Sequence, residues 1–331
     1  MKNLWNTGAL LTGLALFAFA VERIGPRHVI QDLEAMSGEV VVILLLSLVR
    51  LFLQTRSWSI ALRQDGIHSN TTELMFLRLA SQGIGYLTVL GPVASEPIKI
   101  RVLERNGGSA TAATLVDTGL YWLSAALVLI AGSISAPAIF AHNQRASLLL
   151  ASIVGIGIFV LVQPTLLLSR LASSLSKHSP GWLAKAAQIE SEIRTFAKEH
   201  PAAIRQMFLL DVACQALLLA EVATALYFLR LPLRGGAVLS IEAASRAARM
   251  IGGWLPARMG VDESGAAAVF ASLGMPAAAG LALAVARRIR DMLNTLAGLT
   301  WLVWRTRSDR DSADRAEAPS PALNGAVACK L

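Results

Sequence analysis

Long uninterrupted runs of apolar residues constrain this chain more than any other feature. The runs lie near residues 4–20, 40–62, 110–136, 146–170, 207–229 and 276–304. A helix rises about 1.5 Å per residue, so about 20 apolar residues cross a hydrocarbon core of about 30 Å. Only 16% of the residues are charged, too few to cover the surface of a soluble fold of this size. The sequence therefore predicts an all-α polytopic membrane protein with six full spans.

Two shorter apolar segments, near 74–91 and 236–256, are interrupted by glycine and followed by proline. Pro92 and Pro97 lack a backbone donor, so the first segment is predicted not to continue as one helix. Irregular backbone at membrane depth persists only where protein or water satisfies its polar groups. Both segments are therefore predicted to be broken re-entrant hairpins, with Pro92, Pro97, Pro256 and Gly260 as the residues that break them.

The two interrupted segments also resemble each other. The first reads ASQGIGYLTVLGP and the second ASRAARMIGGWLP, and an offset of 167 carries Glu96 onto Glu263 and the span 40–62 onto 207–229. Three full spans separate the hairpins, so the hairpins enter the membrane from opposite faces. The sequence therefore predicts two inverted-topology repeats, at about 4–136 and 146–305, within a transmembrane domain of residues 1–305.

The net charge of +8 could indicate a protein that binds nucleic acid. The Lys and Arg residues, however, lie mainly at the ends of spans rather than on one polar surface. The predicted cytoplasmic segments hold the larger share of Lys and Arg, as the positive-inside rule requires. This distribution predicts a multi-pass protein of the bacterial inner membrane with both termini in the cytoplasm, and no nucleic-acid partner.

Three further segments carry separate predictions. Residues 1–20 form either a retained span or a cleaved signal peptide ending in Ala18-Phe19-Ala20, and both alternatives stay open. Residues 181–199 have apolar residues at helical spacing and are predicted to form an interfacial helix on the headgroups. Residues 306–331 are polar and are predicted to form a disordered cytoplasmic tail.

Charged residues within the apolar segments mark the candidate site, because each costs about 2.5–3.5 kcal/mol at the bilayer centre. Polar stripes on most spans cannot all face lipid, so they are predicted to face one another across a cavity. The alternative is a set of ion pairs that only fixes helix packing. The predicted cavity residues are Arg50, Arg78, Gln82, Glu96, Arg101, Asp117, Asp211, Glu221, Glu242, Arg246, Glu263 and Arg288. Arg287 and Asp291, four residues apart, are predicted to pair.

The segments GPVASEPIKIRVL and LPARMGVDESGAAAVFASLG resemble motifs of the lysylphosphatidylglycerol synthase transmembrane, or flippase-like, family. Pro92, Glu96 and Arg101 match its first motif. Pro256, Gly260 and Glu263 match the second, Arg288 matches an arginine of the last helix, and RSWSIAL, with Arg56 and Trp58, is similar to its second span. The resemblance covers about residues 1–305, and the stand-alone length is similar to the hopanoid-associated branch. Ser95 and Asp117 depart from the common pattern.

The resemblance implies a transporter that moves an amphipathic lipid between leaflets, with a phospholipid, hopanoid or isoprenoid-linked lipid as its membrane partner. Two alternatives remain: a non-transporting scaffold for lipid-synthesis enzymes, and an intramembrane lipid-modifying enzyme. The chain has neither H-E-x-x-H nor G-x-S-x-G, which disfavours the enzyme, and no Gly-Lys dipeptide of a Walker A motif. Two distant cysteines, Cys214 and Cys329, and five histidines in predicted loops indicate no metal site and no cofactor.

Overall fold

The computed structural model describes residues 37–88, 92–104, 110–139, 191–251 and 260–317, and these residues form helices and short connections without a β-strand. In chain order the helices are α1 (Ser37–Gln64), α2 (Thr71–Leu87), α3 (Pro92–Glu104), α4 (Thr111–Ile139), α5 (Pro201–Phe228), α6 (Gly235–Ile251), α7 (Val261–Ser272) and α8 (Ala277–Glu317). Residues 191–199, just before α5, are also helical. The predicted all-α class is confirmed for this part of the chain.

The helices repeat in order and in length. Helices α1 and α5 each have 28 residues, α2 and α6 each have 17, and α3 and α7 have 13 and 12. Helices α4 and α8 follow, with 29 and 41 residues. A long, a medium, a short and a long helix therefore occur twice in the same order.

Helices α1 and α5 pack against each other in antiparallel orientation. Gly38, at the start of α1, lies beside the ring of Phe228 at the end of α5. Further along both helices, the Cys214 thiol donates to the Arg50 carbonyl oxygen at 3.7 Å. Around this central pair, α2 packs against α8 and α4 packs against α6.

Two apolar cores lie at opposite ends of the α1–α5 pair. The first core contains Trp58 of α1 and Met207 of α5, with residues of α2, α3 and α4 around them. The second core contains Ile43 of α1 and Leu226 of α5, packed against α6, α7 and α8. The section of α1 and α5 between the two cores carries polar residues, and the candidate site lies there.

The outer surface of the helices is strongly apolar. Large exposed side chains include Leu45 and Phe52 on α1, Leu127 on α4, Leu209 on α5 and Leu296 on α8. Soluble monomers rarely expose apolar surface on this scale, whereas lipid contact requires it. Three segments of the described helices, Val40–Gln64, Thr111–Ser135 and Pro201–Phe228, are long and apolar enough to cross a membrane. These features agree with a membrane location.

The proline predictions have mixed outcomes. Helix α2 ends at Leu87 and α3 begins at Pro92, so the first segment is interrupted where the sequence predicts. Pro97 was expected to break the chain as well, and this is wrong, because Pro97 lies inside α3. Near the start of a helix, a proline removes a single hydrogen bond to a carbonyl in the first turn. Gly260 caps α7 with a φ of 80°, a conformation that favours glycine, while Pro256 lies outside the described residues.

The segments outside the central helices also differ from prediction. Helix α8 continues to Glu317, so the prediction of disorder from residue 306 is wrong for 306–317. The sequence there places Arg307, Asp311 and Arg315 at the four-residue spacing at which opposite charges stabilise a helix. The predicted spans 4–20 and 146–170, residues 181–190 and the end of the tail lie outside the described residues.

The described part of the predicted interfacial helix packs on protein rather than on headgroups alone. Phe196 is buried in the first core, and the side chain of Ile193 packs against that core. The apolar spacing that suggested a headgroup contact therefore serves at least partly to close the end of the bundle over α1, α4 and α5.

Candidate functional site

Buried charges collect in two groups on either side of the α1–α5 pair. The acidic cluster consists of Arg78, Glu96, Lys99, Asp117 and Asp211, from α2, α3, α4 and α5. The arginine network consists of Glu221, Glu242, Arg246, Arg249, Arg287, Arg290 and Asp291, from α5, α6 and α8.

In the acidic cluster, two cations share one aromatic ring. Arg78 donates to Asp117 across the α2–α4 interface, and both side chains are buried. Lys99 donates to a Glu96 carboxylate oxygen at 2.9 Å. The Arg78 guanidinium and the Lys99 ammonium lie 5.4 and 5.6 Å from the centroid of the Trp58 ring. Cations at this range are attracted to the ring face, so Trp58 helps to hold both in place.

Asp211 is the unusual member of the acidic cluster. Its side chain is 1% exposed, and its Oδ2 atom has no hydrogen-bond partner among the described residues. The charged groups nearest to it are Asp117, which repels its charge, and Arg78, which attracts it but is already paired with Asp117. A buried carboxyl without a counter-ion is costly in its charged form.

In the arginine network, two arginines of α8 hold two carboxylates from different helices. Arg287 Nε donates to Glu221 at 2.6 Å, and a terminal nitrogen of Arg287 donates to Glu242 at 2.9 Å. Arg290 donates to the other oxygen of Glu221 at 2.6 Å. Both oxygens of Glu221 are therefore bound, and α5, α6 and α8 are joined by charge-assisted hydrogen bonds.

Glu242 is the centre of this network. It is fully buried and accepts from Arg246 and Arg249 of its own helix, each at 3.1 Å, in addition to Arg287. Three guanidinium groups therefore surround one carboxylate.

A third ion pair joins the two residues that match the family's second motif and last helix. Arg288 lies 2.6 Å from Glu263. The second Glu263 oxygen accepts from the Gly260 N–H at 2.9 Å, at the start of α7. Glu263 thus fixes the start of α7 through its own carboxylate and ties it to α8 through Arg288.

A polar line along α5 connects the two groups. Gln215 donates to the Ser124 hydroxyl at 2.8 Å and accepts from Arg246. It lies between Asp211 and Glu221, which are ten residues apart and therefore about 15 Å apart along the helix axis. The buried polar groups of α5 cover about half of a hydrocarbon core of about 30 Å.

The two groups differ in their charge balance. In the acidic cluster, three carboxyls face two cations. In the arginine network, four arginines face three carboxylates, and Asp262 of α7 acts on Arg249 as a fourth. Arg50, half-buried near the middle of the apolar segment Val40–Gln64, forms no ion pair among the described residues. It lies close enough to Glu221 to act on its charge. With Arg50 included, the described residues on the network side therefore hold five arginines and four carboxylates, an excess of one positive charge.

Most of the predicted cavity residues come together in these two groups and the Arg288–Glu263 pair. The residues that do so are Arg78, Glu96, Asp117, Asp211, Glu221, Glu242, Arg246, Glu263 and Arg288. Gln82 and Arg101 are exposed and belong to neither group, and their place in a cavity stays a prediction. The buried face of α2 runs through Arg78, Ser81 and Gly85, and Gln82 lies beside that face.

The predicted cavity residues did not include six members of the site: Lys99, Gln215, Arg249, Arg287, Arg290 and Asp291. Lys99 was counted among the cytoplasmic bases at the end of a segment, yet it is buried beside Trp58. Arg287 was expected to pair with Asp291, but Asp291 pairs with Arg290 at 2.9 Å. The spacing of Arg287, Arg290 and Asn294, at steps of three and four, was the available signal that they share a face.

A separate cleft of about 470 Å³ opens at the end of α1, near the start of α4 and residues 191–200. Its polar lining includes Asp65, Glu192, Glu199 and His200. Partial burial raises the pKa of Asp65, and a hydrogen bond from the Ala113 N–H opposes that rise. The cleft lies at the ends of the apolar segments Val40–Gln64 and Thr111–Ser135, and no member of the two charge groups lines it.

Comparison with known proteins identifies the family. The family model described as the lysylphosphatidylglycerol synthase TM region matches residues 6–298. No curated protein sequence and no solved structure shows significant similarity to the chain. The match includes both interrupted segments, the Arg288–Glu263 pair and every member of the two charge groups. The chain is therefore a membrane protein that belongs to the lysylphosphatidylglycerol synthase transmembrane region family.

Proposed function

We propose that the protein moves an amphipathic lipid with an anionic headgroup between the leaflets of the bacterial inner membrane. The observation that supports this most directly is the buried polar line along α5, from Asp211 through Gln215 to Glu221, with surplus arginine charge at one end. A headgroup crosses the hydrocarbon core at a high cost unless polar groups replace its water. The polar line supplies such groups at membrane depth while the lipid tails stay in the bilayer.

The preference for an anion follows from the arginine network. Guanidinium groups bind phosphate through two parallel hydrogen bonds, and they keep their charge in apolar surroundings. With Arg50, the described residues on the network side hold one arginine more than carboxylates, so an anionic group completes the charge balance. A cationic headgroup would instead add to the excess.

Arg50 is the best candidate for direct contact with the headgroup. It is half-buried at the depth of the polar line, whereas Arg246, Arg287 and Arg290 are already engaged with carboxylates. A cation at this depth is expensive without a partner, so its presence there favours a functional role. A phosphate bound at Arg50 would lie beside Glu221 and its two arginines.

We further propose that the repeated helices form two inverted units that rock against each other, with both termini in the cytoplasm. The antiparallel α1–α5 pair and the twice-repeated order of helices support this arrangement. In transporters of this design the substrate site lies near the midplane, where the two units meet. The polar line occupies that position between α1, α4, α5 and α6.

The test is a leaflet-accessibility assay in proteoliposomes with a panel of labelled phospholipids, hopanoids and isoprenoid-linked lipids. We expect the wild-type protein to accelerate exchange of at least one anionic lipid, and Arg50→Gln to reduce that rate about tenfold or more. Arg63→Gln is the matched control, because it removes the same charge from an exposed position at the end of α1. Arg50→Lys should restore part of the rate.

Three results would decide against the proposal. If no lipid in the panel exchanges faster than in empty vesicles, the scaffold function is favoured. If Arg50→Gln and Arg63→Gln behave alike, the headgroup does not pass Arg50. If mass spectrometry shows that the lipid is chemically altered, the protein is an enzyme.

A further inference from the structure

The acidic cluster contains one more carboxyl than cation among the described residues. Arg78 is bound to Asp117 and Lys99 is bound to Glu96, so each cation already has a carboxylate. Asp211 is left over, 1% exposed and with Oδ2 unpartnered within the described residues. A third carboxylate charge at this depth would stand uncompensated.

The surroundings of Asp211 on each neighbouring helix reinforce this conclusion. Asp117 of α4 and Arg78 of α2 are the charged groups that act on it, and Lys99 of α3 lies near that pair. On α5 itself the Cys214 thiol lies one turn away and faces Arg50 of α1. From α6, Arg246 reaches Gln215, the next polar residue of α5, rather than Asp211.

We propose that Asp211 binds a proton and releases it to the opposite side of the membrane in each cycle of lipid movement. The inference rests on the proposed function and adds its energy source, an exchangeable proton. Arg50, beside the network, accepts the anionic headgroup, and the proton on Asp211 balances the excess carboxyl of the acidic cluster. One anionic headgroup and one proton then cross together without net charge.

The chemistry is a single proton transfer. The O–H bond of the neutral Asp211 acid breaks, both electrons stay on the carboxylate, and the proton passes to water on the side to which the cluster is open. Arg78 is the residue that would release the proton, because its positive charge acts on both Asp117 and Asp211. A shift of α5 that brings Asp211 within reach of Arg78 stabilises the carboxylate and releases the proton.

The first experiment tests whether Asp211 is neutral in the folded protein, by comparing the melting temperatures of variants. Asn is close in shape to a neutral aspartic acid, so Asp211→Asn should melt within a few degrees of wild type in detergent at pH 7. Asp117→Asn is the matched control, and it should melt far lower because it leaves the buried Arg78 unpaired. Equal losses in the two variants, or an Asp211→Asn protein that does not fold, would overturn the proposal.

The coupling is tested next in proteoliposomes that carry a labelled anionic lipid and a gradient of about one pH unit, with the membrane potential clamped at zero. One proton per lipid converts this gradient into a leaflet asymmetry of at most about tenfold. We expect wild type and Asp211→Glu to develop an asymmetry, and Asp211→Asn to develop none.

The outcomes separate the two proposals. Wild-type exchange without asymmetry overturns proton coupling and leaves lipid movement intact, whereas no exchange at all overturns lipid movement itself. Asymmetry that persists in Asp211→Asn shows that another group carries the proton, which also overturns the inference.

Discussion

At the scale of single residues, the buried carboxylates differ in how completely they are neutralised. Glu242 has three arginine partners and Glu221 has two, whereas Asp211 has none among the described residues. Breaking a buried ion pair leaves its other members charged and uncompensated, while loss of an exposed pair costs little. The same substitution therefore has very different consequences at different carboxylates.

Glu242→Gln is expected to lower the stability of the protein by about 3–5 kcal/mol, because it leaves Arg246, Arg249 and Arg287 without their shared carboxylate. Thermal melting in detergent measures the loss. Glu73→Gln is the matched control: it removes a partly exposed partner of Arg305 and should cost about 0–1 kcal/mol. Equal melting temperatures for the two variants would contradict this view of Glu242.

At the scale of helices, two glycines permit the closest contacts between the two halves of the chain. A Cβ atom on Gly132 of α4 would lie 2.8 Å from the Leu239 carbonyl oxygen of α6. A Cβ atom on Gly298 of α8 would lie 2.7 Å from the Leu79 carbonyl oxygen of α2. Small residues let membrane helices approach this closely. The two contacts occupy corresponding positions in the two sets of four helices.

Gly298→Ala is expected to destabilise the protein by about 1–3 kcal/mol, since the added methyl group meets the α2 backbone and forces the helices apart. Gly119→Ala provides the control, because Gly119 is also helical but has nothing within 4 Å of an added Cβ. Alanine favours a helix over glycine by about 1 kcal/mol, so this control should be neutral or slightly more stable. Denaturation of both variants in the same detergent gives the comparison.

At the scale of the whole molecule, the antiparallel α1–α5 pair sets the orientation of everything attached to it. Helix α2 follows α1 after a short connection, and α6 follows α5 in the same way. Because α1 and α5 run in opposite directions, the two connections lie at opposite ends of the pair. If both helices cross the membrane, α2 and α6 enter it from opposite faces.

This orientation predicts the labelling of two engineered cysteines by a membrane-impermeant maleimide. His68→Cys and Leu233→Cys lie at exposed positions in the two connections. Each is introduced together with Cys329→Ser, so that Cys214 is the one native cysteine left, and Cys214 is buried. In right-side-out and inverted vesicles, the two positions should label in opposite vesicle types. Labelling of both from one side would rule out inverted units.

The sequence anticipated the family and much of the buried site from local features. The interruption before Pro92 and the cap at Gly260 follow from backbone chemistry that any neighbouring helix would leave unchanged. Charges such as Asp117 and Glu242 were recognisable because an isolated charge in an apolar run is too costly to face lipid. The extension of α8 beyond residue 305 was missed because polar composition was given more weight than charge spacing.

The sequence by itself determined that this protein enters a membrane, where its helices are interrupted and which of its charges need shelter, because these depend on the cost of transferring each segment from water to lipid. Only the tertiary structure decided the partners. Arg287 binds Glu221 and Glu242 rather than Asp291, and Gln82 is exposed although Arg78, one turn earlier, is buried. The physical reason is that ion pairing depends on how helices distant in sequence rotate and approach one another, and the spacing within a single helix does not specify either.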